Sequence, residues 1–280
     1  LKELKDKNLI YEKDNAIWLK LSEMGMEEDR VAVKSTGEPT YRLPDIAYHI
    51  EKFRRGYSEM VDVFGSDHIA TYPDVIAVLK ALGYDTNKIR VVIYQFITIV
   101  ENGEQVKMSK RSGKSYTLDE LIDEVGSDVV RYFFLMRGVN THLEFDLDLA
   151  KEQSEKNPVY YLQYAYARIC SIFQKAKEEN IELLPDFKSE DLSEQIELDL
   201  IKKLADFPEI IYEAYKTLEP HLISDYLYDL AGIFHQFYHD CRILQENDPL
   251  RQARLHLAHS VRTVLKNGLQ ILGISAPERM

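Results

Sequence analysis

Hydrophobic periodicity changes character once along this chain, near residue 150, and the change narrows the architectures open to it. Before it, short β-rich runs (Val31-Ala32-Val33, Met60 to Phe64 and Arg90 to Ile99) alternate with helical patterns at about Pro44 to Arg55 and Tyr72 to Gly83. Strand, helix and strand in this rhythm predict a parallel sheet covered by helices. After it no strand signal survives. Helical segments follow at about Pro158 to Glu179, Asp191 to Asp206, Pro208 to Leu218, Pro220 to Gln245 and Pro249 to Leu272. Several open on proline, which suits a first helical turn, and together they read as a bundle. The expected fold class is therefore α/β plus all-α. Two domains are expected in 280 residues, 1–150 and 151–280, since a single core seldom grows that large.

Composition removes several classes of function. Apolar residues make up 45% of the chain and its mean hydropathy is -0.32. No apolar run approaches the roughly 18 residues of a membrane span, and no secretory leader is recognisable. A cytoplasmic chain with no membrane partner is expected. Cys170 and Cys241 both lie in helical apolar patterns and read as buried free thiols. The first residue is Leu1, and the first helical stretch, from Lys2, lacks a preceding cap, which hints at a piece of something longer. A net charge of -12 argues against a generic nucleic-acid binder. The charge is unevenly spread, however. Glu178 to Asp229 holds 4 basic and 15 acidic residues, a net of -11, whereas Arg242 to Met280 holds 6 and 3, a net of +3. A polyanion would dock on the second stretch, with Arg242 and Arg262 as phosphate contacts. Tyr238 lies beside Phe234 and Phe237 at helical spacing, which marks core more often than a base-stacking platform.

Four constellations could carry chemistry. Lys107-Met108-Ser109-Lys110-Arg111 follows the turn signal Asn102-Gly103 and precedes Ser112-Gly113. Paired ammonium groups on a loop suit the gripping of a polyphosphate while charge builds on it; a solvated basic loop after a hairpin is the plainer alternative. Phe64-Gly65-Ser66-Asp67-His68 closes a strand and is expected to open a helix. Ligands of open α/β sheets bind at such strand ends, where Gly65 would admit a nucleotide, Asp67 would accept from ribose hydroxyls and a helix N-terminus would favour anions. Alone, Asp67 is as readily a helix cap. In Tyr41-Arg42-Leu43-Pro44-Asp45, Pro44 is expected to begin a helix, so Asp45 falls in a first turn where the dipole favours a carboxylate anyway; its functional alternative is a guanidinium acceptor covered by Tyr41. His235, His239 and Cys241 have zinc-like spacing, but the apolar context of His235 favours packing over metal. Gln95 interrupts an apolar run and either bridges strands or points into a cleft.

The lysine string is also the signature loop of class I aminoacyl-tRNA synthetases. With YTLDELIDEVG from Tyr116 (Thr117 as N-cap, Glu120 three residues on, Gly126 as stop), a second capped helix SDVVRYFFLMRG from Ser127, FDLDLAKEQ from Phe145 and SAPERM ending at Met280, the chain closely resembles arginyl-tRNA synthetase from about Leu4 to its last residue. The resemblance implies a partial Rossmann-like catalytic domain followed by a helical anticodon-binding domain. It implies that Lys107 and Lys110 are catalytic, and that Gly65, Asp67, Lys107, Met108, Ser109 and Lys110 hold ATP, with Mg2+ accompanying the nucleotide. Tyr41, Asp45 and His68 would hold L-arginine, and Tyr238, Arg242, Arg262 and Met280 would meet arginine tRNA. A monomer is expected. Class I synthetases also need a His-x-Gly-His signature, and no such string occurs here. The family's N-terminal domain and first sheet half likewise have no counterpart. The chain is thus expected to be a carboxyl-terminal portion of an arginine–tRNA ligase, inactive alone; a tRNA-binding module that has lost catalysis is the alternative.

Overall fold

The computed structural model describes residues 1–106, 117–245 and 248–280, which form two compact units, Leu1–Phe96 and Ile97–Met280. In the first unit a short helix, α1 (Lys2–Asp6), leads into an antiparallel meander of β1 (Ile10–Lys13), β2 (Ala16–Leu19) and β3 (Arg30–Val33). Asp14 and Asn15 both take positive φ, 53° and 57°, and close the β1–β2 hairpin in two residues. The Val31 run therefore belongs to this meander and not to the parallel sheet expected of it. Next come α2 (Arg42–Arg54), β4 (Met60–Gly65), α3 (Tyr72–Leu82) and β5 (Ile89–Tyr94). β4 and β5 pair in parallel, Met60 opposite Ile89 through Gly65 opposite Tyr94, with α3 as the crossover. Leu4, Leu19, Leu21, Ala32, Ile46, Val78 and Leu79 form the core beneath these helices and the meander.

Two boundaries differ from the sequence reading. α2 starts at Arg42, two residues before Pro44, which sits harmlessly in the first turn where its missing N–H has no intrahelical partner to lose. The run Arg90 to Ile99 is not one strand: β5 ends at Tyr94, and Gln95-Phe96 links it to β6 (Ile97–Glu101) in the second unit. Gln95 is half-buried in that link, so it spoils no ladder.

In the second unit β6 turns through Asn102 and Gly103, φ 53° and 74°, into β7 (Glu104–Gln105). It then pairs in parallel with β8 (Leu143–Asp146). Between them lie α4 (Leu118–Val125) and α5 (Ser127–Leu135), and α6 (Leu147–Lys151) follows. α5 has no side-chain cap; the expected Ser127 cap is replaced by Gly126, whose φ of 88° ends α4 and starts α5. The bundle is α7 (Pro158–Glu178), α8 (Gln195–Ala205), α9 (Phe207–Thr217), α10 (His221–Asp240) and α11 (Asp248–Ile271). α8 starts later than Asp191, at a capping box between Glu194 and Glu197, and α10 stops at Asp240, short of Gln245.

One core runs through this unit. Ile99, Leu121, Val130, Phe133, Phe145 and Leu147 pack in the same cluster as Leu162, Leu200, Leu227, Phe234 and Leu265. The packing division therefore falls at Phe96/Ile97, well before the change of periodicity at 150, because 97–150 bury their apolar faces with the bundle. Cys241 is buried and Cys170 half-buried, both as free thiols. Among the described residues no helix is long and apolar enough to cross a membrane.

Candidate nucleotide-site residues and a helical groove

The end of β4 is built by alternation. Met60 and Asp62 point inward while Val61 and Val63 are exposed. Gly65 closes the strand with φ -76° and ψ 164°, extended backbone that any residue adopts. A Cβ there would lie 2.8 Å from Asp67 Oδ1, so a larger residue would make the exposed Asp67 side chain swing aside. Glycine lets Asp67 fold back over the strand end without that shift. The following residues, Ser66–His68, make a single 3-10 turn, and α3 begins only at Tyr72, so no helix N-terminus opens at Ser66 as the sequence led one to expect. The Asp67 side chain is 68% exposed and open to a ligand. His68 stacks on Phe64, ring centroids 4.9 Å apart, with its Nε2 4.0 Å from Asp67 Oδ2.

Tyr41 and Asp45 stand at the start of α2. Arg42 clamps that first turn to α3 through Asp74, Nε to Oδ2 2.6 Å. Tyr41 is 97% exposed. Asp45 is partly buried and fixed. His49 Nδ1 lies 2.8 Å from the Asp45 carbonyl oxygen and 3.2 Å from its Oδ1, while His49 Nε2 lies 2.7 Å from Asp62 Oδ2 on β4. Lys52 Nζ donates to the other Asp62 oxygen at 2.5 Å. Burial alone would depress the His49 pKa, but hydrogen bonds to Asp45 and Asp62 override it and raise it to about 9. Burial likewise opposes the Asp62 charge, yet donors from His49 and Lys52 hold that carboxyl below its usual range. The network ties Asp45 on α2 to the strand that ends in Gly65. The sequence reading missed His49, Lys52 and Asp62. An Asp-x-x-x-His spacing on a helix and a lone carboxylate in the run MVDVF were the available signals.

Lys107, Met108, Ser109 and Lys110 lie outside the described residues. Their flanks are firmly held. Val106 N donates to Ile99 O at 2.9 Å, and Thr117 and Glu120 make the expected reciprocal box, Glu120 N to Thr117 Oγ1 at 3.2 Å and Thr117 N to Glu120 Oε2 at 2.7 Å.

The bundle carries a groove of about 1020 Å³ between α7, the end of α10, residues 241–244 and the last two residues. Tyr238, Arg242 and Met280 line it together, although they are distant in sequence. Arg262 does not: its guanidinium lies 4.5 Å over the Phe173 ring, outside the groove lining. Arg168, Lys175 and Arg279 line the groove and went unread. The Arg168 guanidinium lies 4.7 Å from both the Tyr164 and Tyr238 rings, so the two tyrosines share one cation. Tyr238 is 41% and Met280 54% exposed, which makes them a surface platform and not core. Arg254, counted above in the basic stretch, is buried against Glu197, Nε to Oε1 2.6 Å, and offers nothing to a polyanion. His235 packs on Tyr161 and Tyr164, and burial helped by the Arg168 charge lowers its pKa; His239 bonds Asp240 at the surface, 2.7 Å away.

Comparison with known proteins identifies these parts. Residues 1–132 match the family described as tRNA synthetases class I (R), catalytic domain, and residues 162–280 match the DALR anticodon binding domain. Together the two matches mark a class I aminoacyl-tRNA synthetase. An arginine–tRNA ligase of Salinibacter ruber is 54% identical over 99% of this chain and 49% of its own length. One of Desulfotalea psychrophila is 50% identical over 100% and 51%. A Campylobacter jejuni structure, provisionally named arginyl-tRNA synthetase, superposes with a TM-score of 0.86 at 31% identity, covering 100% of this chain and 61% of its own. The Thermus thermophilus arginyl-tRNA synthetase, 23% identical, shares the fold with a TM-score of 0.82 over 100% of this chain and 57% of its own. The chain belongs to the arginine–tRNA ligase family. It spans about half the length of the curated relatives it matches.

Proposed function

We propose that this chain serves the ATP-dependent attachment of arginine to its tRNA. The arginine carboxylate attacks the α-phosphorus of ATP and pyrophosphate leaves; the tRNA 3′ end then takes arginine from the adenylate and AMP is released. Asp45 accepts the guanidinium, with Tyr41 and His68 beside the side chain, and a fixed carboxylate selects that planar cation over an ammonium. Gly65 and Asp67 hold the nucleotide at the strand end. Lys107 and Lys110 stabilise charge on the phosphates as pyrophosphate leaves, and Met108 and Ser109 complete that loop. Mg2+ would arrive with the ATP phosphates, whose oxygens suit that ion.

The observation that best supports this reading is the fixing of Asp45 to the very strand that ends in Gly65, two residues before Asp67. The functional division would fall near residue 150, with 1–150 serving activation and 151–280 the anticodon. The groove lined by Tyr238, Arg242 and Met280 would take anticodon bases by stacking. Anticodon bases would stack on Tyr238, a contact worth roughly 1–3 kcal/mol each; Arg262, outside the groove, would meet a backbone phosphate. A cytoplasmic monomer is the working form.

Arginine-dependent pyrophosphate exchange in the full-length protein as the cell makes it, with arginine tRNA present, tests the proposal. Lys110→Ala is expected to lower kcat about a hundredfold or more while arginine binding holds. Absent exchange with intact tRNA binding would instead favour the second reading, a tRNA-binding module.

A further inference from the structure

We infer that His49 is a positioning residue, which presents the Asp45 carboxylate to the guanidinium of the substrate by bridging it to Asp62 and Lys52. The inference deepens the reading of Asp45 given above and rests on it. A first-turn aspartate on a helix ordinarily turns freely about its side-chain bonds, and a ligand that must freeze it loses affinity. Here that freedom is restricted. His49 Nδ1, whose nearer acceptor is the Asp45 carbonyl oxygen at 2.8 Å, also meets Asp45 Oδ1 at 3.2 Å and leaves Oδ2 for a ligand. The ring itself cannot turn, because Nε2 is bound to Asp62 Oδ2 at 2.7 Å, and Asp62 is held in turn by Lys52 at 2.5 Å.

The burial pattern makes the chain of contacts directional. His49 is 2% and Asp62 5% exposed, whereas the Asp45 side chain is 33% exposed. The inner members are inaccessible to a substrate, and the outer carboxylate is the one that can be reached. Both ring nitrogens face acceptors, which requires a doubly protonated imidazole, and the raised pKa agrees with that. The charges that face the ring are Asp45 and Lys52 on α2 and Asp62 on β4, two anions and one further cation, so the protonated cluster is neutral and tolerates burial. This arrangement supplies preorganisation and not extra charge. Its loss should therefore appear in arginine recognition and not in the chemical step.

The test measures arginine-dependent pyrophosphate exchange by the full-length protein carrying His49→Gln, Asp45→Ala or both. His49→Gln alone is expected to raise KM for arginine on the order of tenfold, with KM for ATP and kcat changed less than about twofold. In the Asp45→Ala background the same substitution should add nothing further, since the group being positioned is gone. A His49→Gln effect that persists there, or that falls equally on ATP, would show that the histidine merely holds the fold and would overturn the inference. A normal arginine KM in His49→Gln beside a raised one in Asp45→Ala overturns it while sparing the role of Asp45. A normal KM in Asp45→Ala removes both. Should His49→Gln fail to fold, Asp62→Asn carries the same comparison: an arginine-specific rise of about threefold or more supports the inference, and unchanged arginine kinetics sink it.

Discussion

The two units bury their apolar residues in opposite styles. Ile97–Met280 closes a continuous core that reaches from Ile99 on β6 to Ile274 beyond α11. Leu1–Phe96 builds a smaller core and leaves Val61, Val63 and Ile69 at 45%, 61% and 51% exposure around the strand end that carries its candidate site. Parallel sheets are ordinarily covered on both faces, so a two-stranded one with outward valines is held together by other means. In this unit a smaller apolar core is joined by ion pairs: Arg42 with Asp74, and the cluster of Asp45, His49, Lys52 and Asp62. The second unit is fixed chiefly by packing and the first by a smaller core together with pinned charges, and the two should fail under different insults.

The sharpest way to break the comparison is to cut the second unit where periodicity changes. A polypeptide of residues 97–280 is expected to unfold cooperatively in urea, whereas one of 151–280, deprived of Phe133, Phe145 and Leu147, is expected to lose its cooperative transition. Within the unit, Phe145→Ala should cost about 3–5 kcal/mol. Val63→Ala, on the exposed face of β4, should stay within roughly 0.5 kcal/mol. Comparable costs at the two sites would erase the contrast.

A buried charge sharpens it from inside the packed unit. Glu197 and Arg254 form a buried ion pair there, and Glu197→Gln should cost about 3–5 kcal/mol because it leaves a buried guanidinium uncompensated. Joint replacement by Glu197→Leu and Arg254→Met should recover most of that loss in chemical denaturation. A double variant as unstable as the single one would show that this unit, too, depends on its charges.

The ionic unit should respond to pH where the packed one does not. His49 is raised from 6.5 to about 9, so its contribution is complete below pH 6.5 and is lost as pH climbs through about 9. Asp62 is held low, so its contribution is present above the ordinary carboxylate range and is lost only as pH falls through its depressed value. Between pH 6.5 and 9 the melting of the first unit should therefore fall by up to about 1.4 kcal/mol per pH unit. His49→Gln should flatten that slope. A modest change is expected at the cap of α4, where Thr117→Ala should cost about 1 kcal/mol, read from the same urea curves.

What could be read from the chain followed the range of the interaction. Long amphipathic helices such as α7 and α11 declared themselves to within a residue or two, as did Asn102-Gly103 and the Thr117–Glu120 box, because their determinants lie within one turn of sequence. The β1–β2 hairpin escaped because its four-residue strands mix burial classes and carry no clean alternation, although Asp14-Asn15 marked the turn. Asp45 was readable as a candidate, but its anchoring was not, since Asp62 reaches His49 only through the fold of β4 against α2. The groove shows the same limit. Tyr238 and Arg242 lie close in sequence, yet Arg168 comes to them from α7, where apolar spacing alone had been read. Arg254 was miscounted as surface charge because its partner, Glu197, is on another helix.

The shared core of the second unit has a consequence for how such chains can be recombined. A chimaera that trades anticodon specificity between two relatives would be joined most naturally at residue 150, where the sequence changes style. That junction would set one parent's Phe133, Phe145 and Leu147 against the other parent's Leu162, Phe234 and Leu265, in a core with no slack for mismatched volumes. A crossover at Gln95-Phe96 instead carries the lysine string, its two anchored flanks and the groove across as one inherited piece. The loop that is proposed to meet phosphates and the surface proposed to read the tRNA would then travel together, and a graft could exchange one only by exchanging both.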